Sequence, residues 1–353
     1  MSRHLPLARP GRPVLRRGAD QVQIGIDPER AVIVDRLSDV ASSALVHLDG
    51  TTARHEVLRL APELDAVLDQ LHERGLLDDD PGPTPTLGAT RRERLAPDIA
   101  SLSIGSASSS VAVQTMARRA RSAVVVRGHD RVAAHIALGL ASAGVGTVAL
   151  QGGDHLVSSA DFTTVGPHEP HLSWREEVSE AVRRQGAHPT TLAMRTRRPV
   201  LTIVCSAADI DVPWTDPELA DDLLGDSIPH LAVAVAGEAA RVGPLVIPGH
   251  TACLWCLDHR SRDLDQAWPA LADQIRLRHS VARAHSGVLA TVAAGFAVAQ
   301  SLHLIDGPDS LAPVTTRAQV EFRAPDALGV VLPVVPHPVC GCGWGGTTLT
   351  MVV

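Results

Sequence analysis

The sequence predicts an α/β protein in two parts, a small winged-helix-like module followed by a larger parallel-sheet domain stabilised by a structural zinc ion. Three observations carry that reading. Residues 13–80 pass from short strand-like runs into three segments of helical period. From residue 98 onward, apolar strands alternate with helices. Four of the five cysteines fall in two tight pairs, Cys253 with Cys256 and Cys340 with Cys342. A chain of 353 residues is long enough for two domains with cores of their own.

In the first part, the strands are PVLRR, VQIGI and AVIV, the last two separated by a DPER turn. Leu37, Val40, Ala41, Ala44, Leu45 and Leu48 then recur at spacings of three and four, until Asp49-Gly50 stops the helix. A second helix fits Ala53 to Leu60. The third has Pro62 near its first turn, an apolar face of Leu64, Val67, Leu68 and Leu71, and Gly75 as its C-terminal cap. The boundaries are therefore 1–80 for the module, 81–97 for a linker rich in proline and charge, and 98–353 for the second domain.

In that domain, AVVVRG (123–128) reads as a buried strand, HDRVAAHIALGLASAGVG as a helix ending at Gly144, and TVAL (147–150) as the next strand. Residues 173–187 are a helix, VLTIVCS (200–206) another buried strand, and 287–305 a helix that is either buried or dimer-facing. No apolar run escapes Gly, Ser or His for the roughly 18 to 20 residues of a membrane span. The N-terminus is basic but broken by proline, with no apolar stretch of a secretory signal, which places the chain in the cytosol. The net charge of −7 gives no reason to expect a polyanion partner. Lys and Asn are absent, so no lysine is available as phosphate clamp or general base.

Two closely spaced thiol pairs suit tetrahedral zinc in an all-sulfur shell, which leaves no position for a catalytic water. The glycines at 341, 343, 345 and 346 let the backbone turn tightly around such an ion. The rival reading is two disulfides, which a cytosolic address disfavours. Cys205 closes an apolar strand and reads as a small core residue rather than a nucleophile.

AGVG at 143–146, GPLVIPGHTACLWCLDHR at 243–260, the GVLATVAAGFAVAQSLHLIDG helix and HPVCGCGW at 337–344 together resemble the ThiF-like superfamily of ubiquitin-activating-type adenylyltransferases. More narrowly, residues 98–353 look like the ThiF-like partner proteins of azoline-forming, YcaO-type cyclodehydratases in ribosomal peptide natural-product biosynthesis. The resemblance implies a glycine-rich phosphate loop, whose glycines fall here on Gly128, Asp130, Arg131 and Ala133. Only the first is kept. The family's ribose-binding Asp falls on Gly152 and its second Asp on Asp154. Its phosphate-contacting Arg falls on Thr163, and its magnesium-binding Asp on Ala208 or Asp209. Asp and Arg in place of glycine close the space for phosphates, and the Asp adds repulsion, so the resemblance implies a fold that has lost ATP chemistry. His129-Asp130 is either an acid–base pair at that loop or a surface turn.

Residues 13–80 resemble the PqqD-type peptide-recognition module that precedes such domains. The resemblance implies that a precursor's leader peptide adds a strand beside an edge formed by Val22, Gln23, Ile24 and Ile26 together with Ala31, Val32, Ile33 and Val34. Leu64, Leu68 and Leu71 either line a groove for it or form the module's core. A DNA-binding winged helix is the competing reading. From Asp35 to Asp80 there are four arginines against eleven acidic residues, the wrong sign for the major groove. The functional expectation is a non-catalytic, homodimeric protein that presents a precursor peptide to a separate ATP-dependent cyclodehydratase. The alternatives are a divergent adenylyltransferase acting on the C-terminus of a carrier protein or peptide, and a regulatory or DNA-associated scaffold. A partner or dimer contact is expected on DLDQAWPALADQ (263–274).

Overall fold

The computed structural model describes residues 6–8, 12–79, 88–105, 109–156, 172–189, 198–206, 217–277, 286–307 and 312–343. By internal contact the chain divides into two compact units, Met1–Ala117 and Arg118–Val353.

In the first unit, β1 (Pro6–Ala8) pairs antiparallel with β5 (Leu77–Asp79), while β2 (Val14–Arg16), β3 (Val22–Ile24) and β4 (Val32–Val34) form an antiparallel sheet in the order β2-β3-β4. Three helices follow: α1 (Asp39–Val46), α2 (Arg54–Leu60) and α3 (Asp65–Glu73). Ser38 caps α1 by accepting from the Ala41 N–H at 3.1 Å. Gly75, at φ 64, ends α3 in the left-handed conformation that a side chain would resist.

One expectation for this unit changes. Val22–Ile24 is the middle strand, laddered to β2 and β4, so its backbone groups are already used and it offers no edge. Leu64, Leu68 and Leu71 are almost fully buried with Ile24, Leu45 and Val57 in the module's core, the second of the two readings given for them, and Leu68 also borders a pocket of about 370 Å³ with Arg54 and His72. The second edge of β4 has no ladder partner among the described strands. Residues 89–94 and 96–105, the first of them within the expected linker, form helices α4 (Ala89–Arg94) and α5 (Ala96–Gly105). Helix α6 (Ser109–Arg121) spans the division between the units.

The second unit is a seven-stranded sheet in the order β12-β11-β10-β9-β8-β6-β7. Its elements after α6 are β6 (Ala123–Arg127), α7 (Arg131–Ser142), β7 (Thr147–Gln151), α8 (Trp174–Arg184), β8 (Leu201–Ser206) and α9 (Pro217–Gly225). Then come β9 (His230–Ala236), β10 (Ala239–Val246), α10 (Leu254–Leu264), α11 (Trp268–Leu277), α12 (Gly287–Asp306), β11 (Ala318–Arg323) and β12 (Leu328–Pro333). Strands β7, β6, β8 and β9 are parallel. β9 to β12 are antiparallel, so the expected parallel sheet accounts for only part of the domain.

The AGVG segment has a packing reason. Gly144, at φ 96, turns the chain out of α7. A Cβ on Gly146 would stand 1.8 Å from the Ala120 carbonyl oxygen, so the backbones approach too closely there for any side chain. Helix α12 packs on α7 and on β9, β10 and β11, with Gly139 of α7 set against Val298. It is the one described helix long and apolar enough to cross a membrane by length and composition, with Gly295, Ser301 and His303 interrupting its apolar run. Its apolarity serves the core: Leu289, Ala290, Ala293, Ala294 and Ala297 are buried. Arg119 grips Asp306 near its end with two hydrogen bonds, of 2.8 and 2.6 Å.

Candidate metal centre and nucleotide-type crevice

The four paired cysteines converge. Cys253 stands just before α10 and Cys256 in its first turn, because a helix brings residues three apart to one side. Cys340 and Cys342 arrive on the turn after β12. Sγ–Sγ separations are 3.8 Å for Cys253–Cys256, 3.6 Å for Cys253–Cys340 and 3.3 Å for Cys256–Cys342. All four sulfurs lie within 4.8 Å of one another. Tetrahedral thiolates at the usual zinc–sulfur distance of about 2.3 Å stand roughly 3.8 Å apart, so the set fits a four-sulfur metal site with little movement. All five cysteines are free thiols.

The surroundings favour a thiolate at one of the four sulfurs, Cys256, and burial opposes it at Cys342. The His337 N–H donates to Cys256 Sγ at 3.3 Å. Hydrogen bonding from Cys253, with help from that N–H, pulls the Cys256 thiol down to about 4, whereas burial pushes Cys342 up to about 11. His337 in turn contacts Asp263 at 2.8 Å and stacks on His259, and Trp255 Nε1 donates to Asp221 at 2.7 Å. These contacts tie α9, α10 and the segment after β12 around the cluster. A pocket of about 440 Å³, bounded by Trp255, His259, Cys340 and Cys342, opens beside it.

A second constellation lies at the carboxyl ends of β6 and β8. The chain leaves β6 for β7 on one side and reaches β8 on the other, the switch point where open α/β sheets bind ligands. Gly128 fills the first turn: a Cβ there would lie 2.8 Å from Cys205 Cβ and 3.0 Å from Ala133 Cβ. Asp130 caps α7, its Oδ1 accepting from the Ala133 N–H at 3.0 Å. The helix N-terminus, which in a phosphate site faces an anion, is thereby occupied by the protein's own carboxylate. Arg131 Nη1 points toward Gly287 at the start of α12.

Asp154 pairs with Arg175 at 2.6 Å, both well exposed. Gly152 and Gly153 have positive φ, and a Cβ on Gly153 would meet the Trp174 ring at 2.4 Å. His129 lies 5.7 Å from His155, edge to face, and the Asp130 carboxylate is turned to the helix. Burial, with the nearby Asp130 charge, raises the Cys205 thiol well above its usual value, which disfavours a nucleophile. Thr163, Ala208 and Asp209 lie outside the described residues.

Sequence reasoning missed the arginines of α4. Arg91 is held below its ordinary value by burial and then by the charge of Arg94, and Arg94 Nε and Nη2 are buried with no hydrogen-bond partner. Their signal was present as RRERLAP, three arginines in four positions before a proline. It reads equally well as a charged linker.

No protein-family model matches the chain, and no curated protein matches it. Solved structures do. The chain is similar to Escherichia coli MccB solved with ATP, at 14% identity and a TM-score of 0.62, over 96% of this chain and 99% of that one. The microcin C7 biosynthetic enzyme MccB in complex with N-formylated MccA gives the same identity, coverage and score. PaaA is similar at 17% identity and a TM-score of 0.64, over 91% of this chain and 98% of that one. At such identities the likeness speaks for the fold alone, a mixed α/β fold with a partly parallel sheet shared with MccB and PaaA.

Proposed function

We propose that this ThiF-like chain is a non-catalytic, zinc-stabilised peptide-binding protein that presents a precursor peptide to a separate ATP-dependent YcaO-type cyclodehydratase. The observation that carries the non-catalytic part is the Asp130 cap. A phosphate brought to the start of α7 meets a carboxylate there, and two unit charges about 4 Å apart repel by roughly 4 kcal/mol at an effective dielectric near 20. That is close to three decades of affinity. Gly128, hemmed in by Cys205 and Ala133, leaves little room to move the loop aside.

The peptide-binding part rests on the edge of β4 that has no ladder partner among the described strands, where the backbone groups of Val32–Val34 can extend the sheet by one strand. We assign that winged-helix-like module to the leader peptide, and the Cys253, Cys256, Cys340 and Cys342 cluster to a structural zinc. Homodimerisation and a cytosolic location belong to the same proposal. That MccB has been solved with MccA supports a peptide-handling role for this fold.

Calorimetry decides the matter. With magnesium and ATP the purified protein gives no heat of binding, and a precursor peptide from a neighbouring gene binds at micromolar concentration or tighter. N-methylating alternate amides of that peptide removes the strand pairing and weakens binding at least tenfold. Tight magnesium-dependent ATP binding, or indifference to N-methylation, defeats the proposal. The catalytic alternative is a divergent adenylyltransferase. Its test is pyrophosphate release from ATP in the presence of peptide, which that reading requires.

A further inference from the structure

We infer that the groove between the start of α1 and the end of α2 is a docking surface for a cationic peptide segment bearing an apolar side chain. The inference deepens the peptide-binding reading by stating which side chains the partner carries, and it concerns a different surface from the β4 edge.

The groove has a volume of about 470 Å³ and is lined by Asp39, Val40, Ser43, Ala44 and Leu60. Val40 is 51% and Leu60 60% exposed, in a unit whose other helical leucines are mostly buried. Two aliphatic side chains on adjacent helices therefore face solvent across an apolar floor.

Its rim is acidic. Glu63 lies at the head of α1, where its Oε1 accepts from Ser38 Oγ at 2.5 Å. Glu56 precedes Leu60 by one turn of α2 and shares its face. Asp39 has a counter-ion in Arg16, at 3.7 Å, and Arg16 also donates to Ser43. Among the described residues, neither Glu56 nor Glu63 has an arginine or histidine at ion-pair distance.

The charge of the whole chain points the same way. Its net charge is −7, and Asp35–Asp80 alone, with four arginines and eleven acidic residues, accounts for all of it. The remaining residues sum to zero. An acidic peptide, a nucleic acid or an anionic lipid surface is repelled by this segment, whereas lysines and arginines flanking a leucine or valine meet both the rim and the floor. The β4 edge grips backbone and is indifferent to the sign of side chains; the groove supplies the discrimination.

The test uses the full chain and a fluorescein-labelled dodecapeptide of leucines spaced among lysines. Anisotropy should report binding that weakens at least tenfold when the leucines become serines, and equally when the lysines become glutamates. Leu60→Glu and Val40→Ser should each cost tenfold or more, and Glu63→Gln should flatten the salt dependence, with circular dichroism confirming that each variant is folded. The inference is overturned if the glutamate peptide binds as well as the lysine one, or if Leu60→Glu leaves affinity unchanged. It is also overturned if Leu60→Glu splits a dimer in light scattering while peptide binding persists, which would make the occupant a second copy. If N-methylation of the peptide matters and Leu60→Glu does not, the β4 reading stands and the groove falls.

Discussion

Asp130 combines two roles that can be separated by substitution. Its oxygen caps α7, and its charge occupies the place of an anion. Asp130→Asn keeps a good capping acceptor without the charge, so stability should stay within about 0.5 kcal/mol while affinity for sulfate or ATP rises. Asp130→Ala should cost about 1 kcal/mol in a urea titration. His230 is a second residue with a measurable signature. Burial holds its imidazole below the ordinary value, with Nδ1 2.9 Å from the Ile228 carbonyl and Nε2 unpartnered. The unfolded chain therefore takes up the proton first, and the contribution of His230 is fully present above pH ~6.5 and declines as the pH falls below it. His230→Leu should flatten the stability profile between pH 6.5 and 5 by up to ~1.4 kcal/mol per pH unit. An unchanged slope refutes this. At this scale the metal cluster was readable because four thiols in two pairs have few other uses, whereas the role of Asp130 was readable only as a missing glycine. That its carboxylate turns back to Ala133 is a matter of backbone angles.

Helices were more legible than strands. The spacings read for α1 and α3 survive in the structure, and α7 and α12, read as helices from their length and apolarity, form where expected. Strands of three residues such as Val14–Arg16 and Val22–Ile24 carry almost no period, so which of them is central depends on pairings that no local pattern encodes. The antiparallel half of the large sheet went unread for a related reason. The Gly237 turn between β9 and β10 sits among short apolar residues that do not alternate, since both faces of β9 are buried. Close backbone approach is likewise invisible in one dimension. Gly146→Ala should destabilise the protein by ~3 kcal/mol in chemical denaturation, because a methyl group there meets a carbonyl and not a movable side chain. A variant as stable as wild type would show that the α6–β7 contact can open freely.

The whole molecule divides into a unit that we assign to peptide and a unit that carries the cysteine cluster. Metal should therefore stabilise one and leave the other alone. A metal present at a thousand times its dissociation constant contributes about 4 kcal/mol, equivalent to roughly 10 °C in melting temperature for a unit of this size. Calorimetry with and without a chelator should show the transition of the Arg118–Val353 unit fall by that amount, with the smaller unit unmoved. Cys256→Ser should reproduce the shift without a chelator. A transition insensitive to both removes the structural role of the ion.

The cysteine pairs also have an order in time. Cys253 and Cys256 leave the ribosome while Cys340 and Cys342 have yet to be translated, so a nascent chain holds only half a ligand set and binds metal weakly. The centre closes once β11 and β12 are made and the turn beyond them can reach α10. A metal held by all four thiols would thus mark a completed sheet, because chains stalled or cleaved before Cys340 keep only the Cys253 and Cys256 pair at α10.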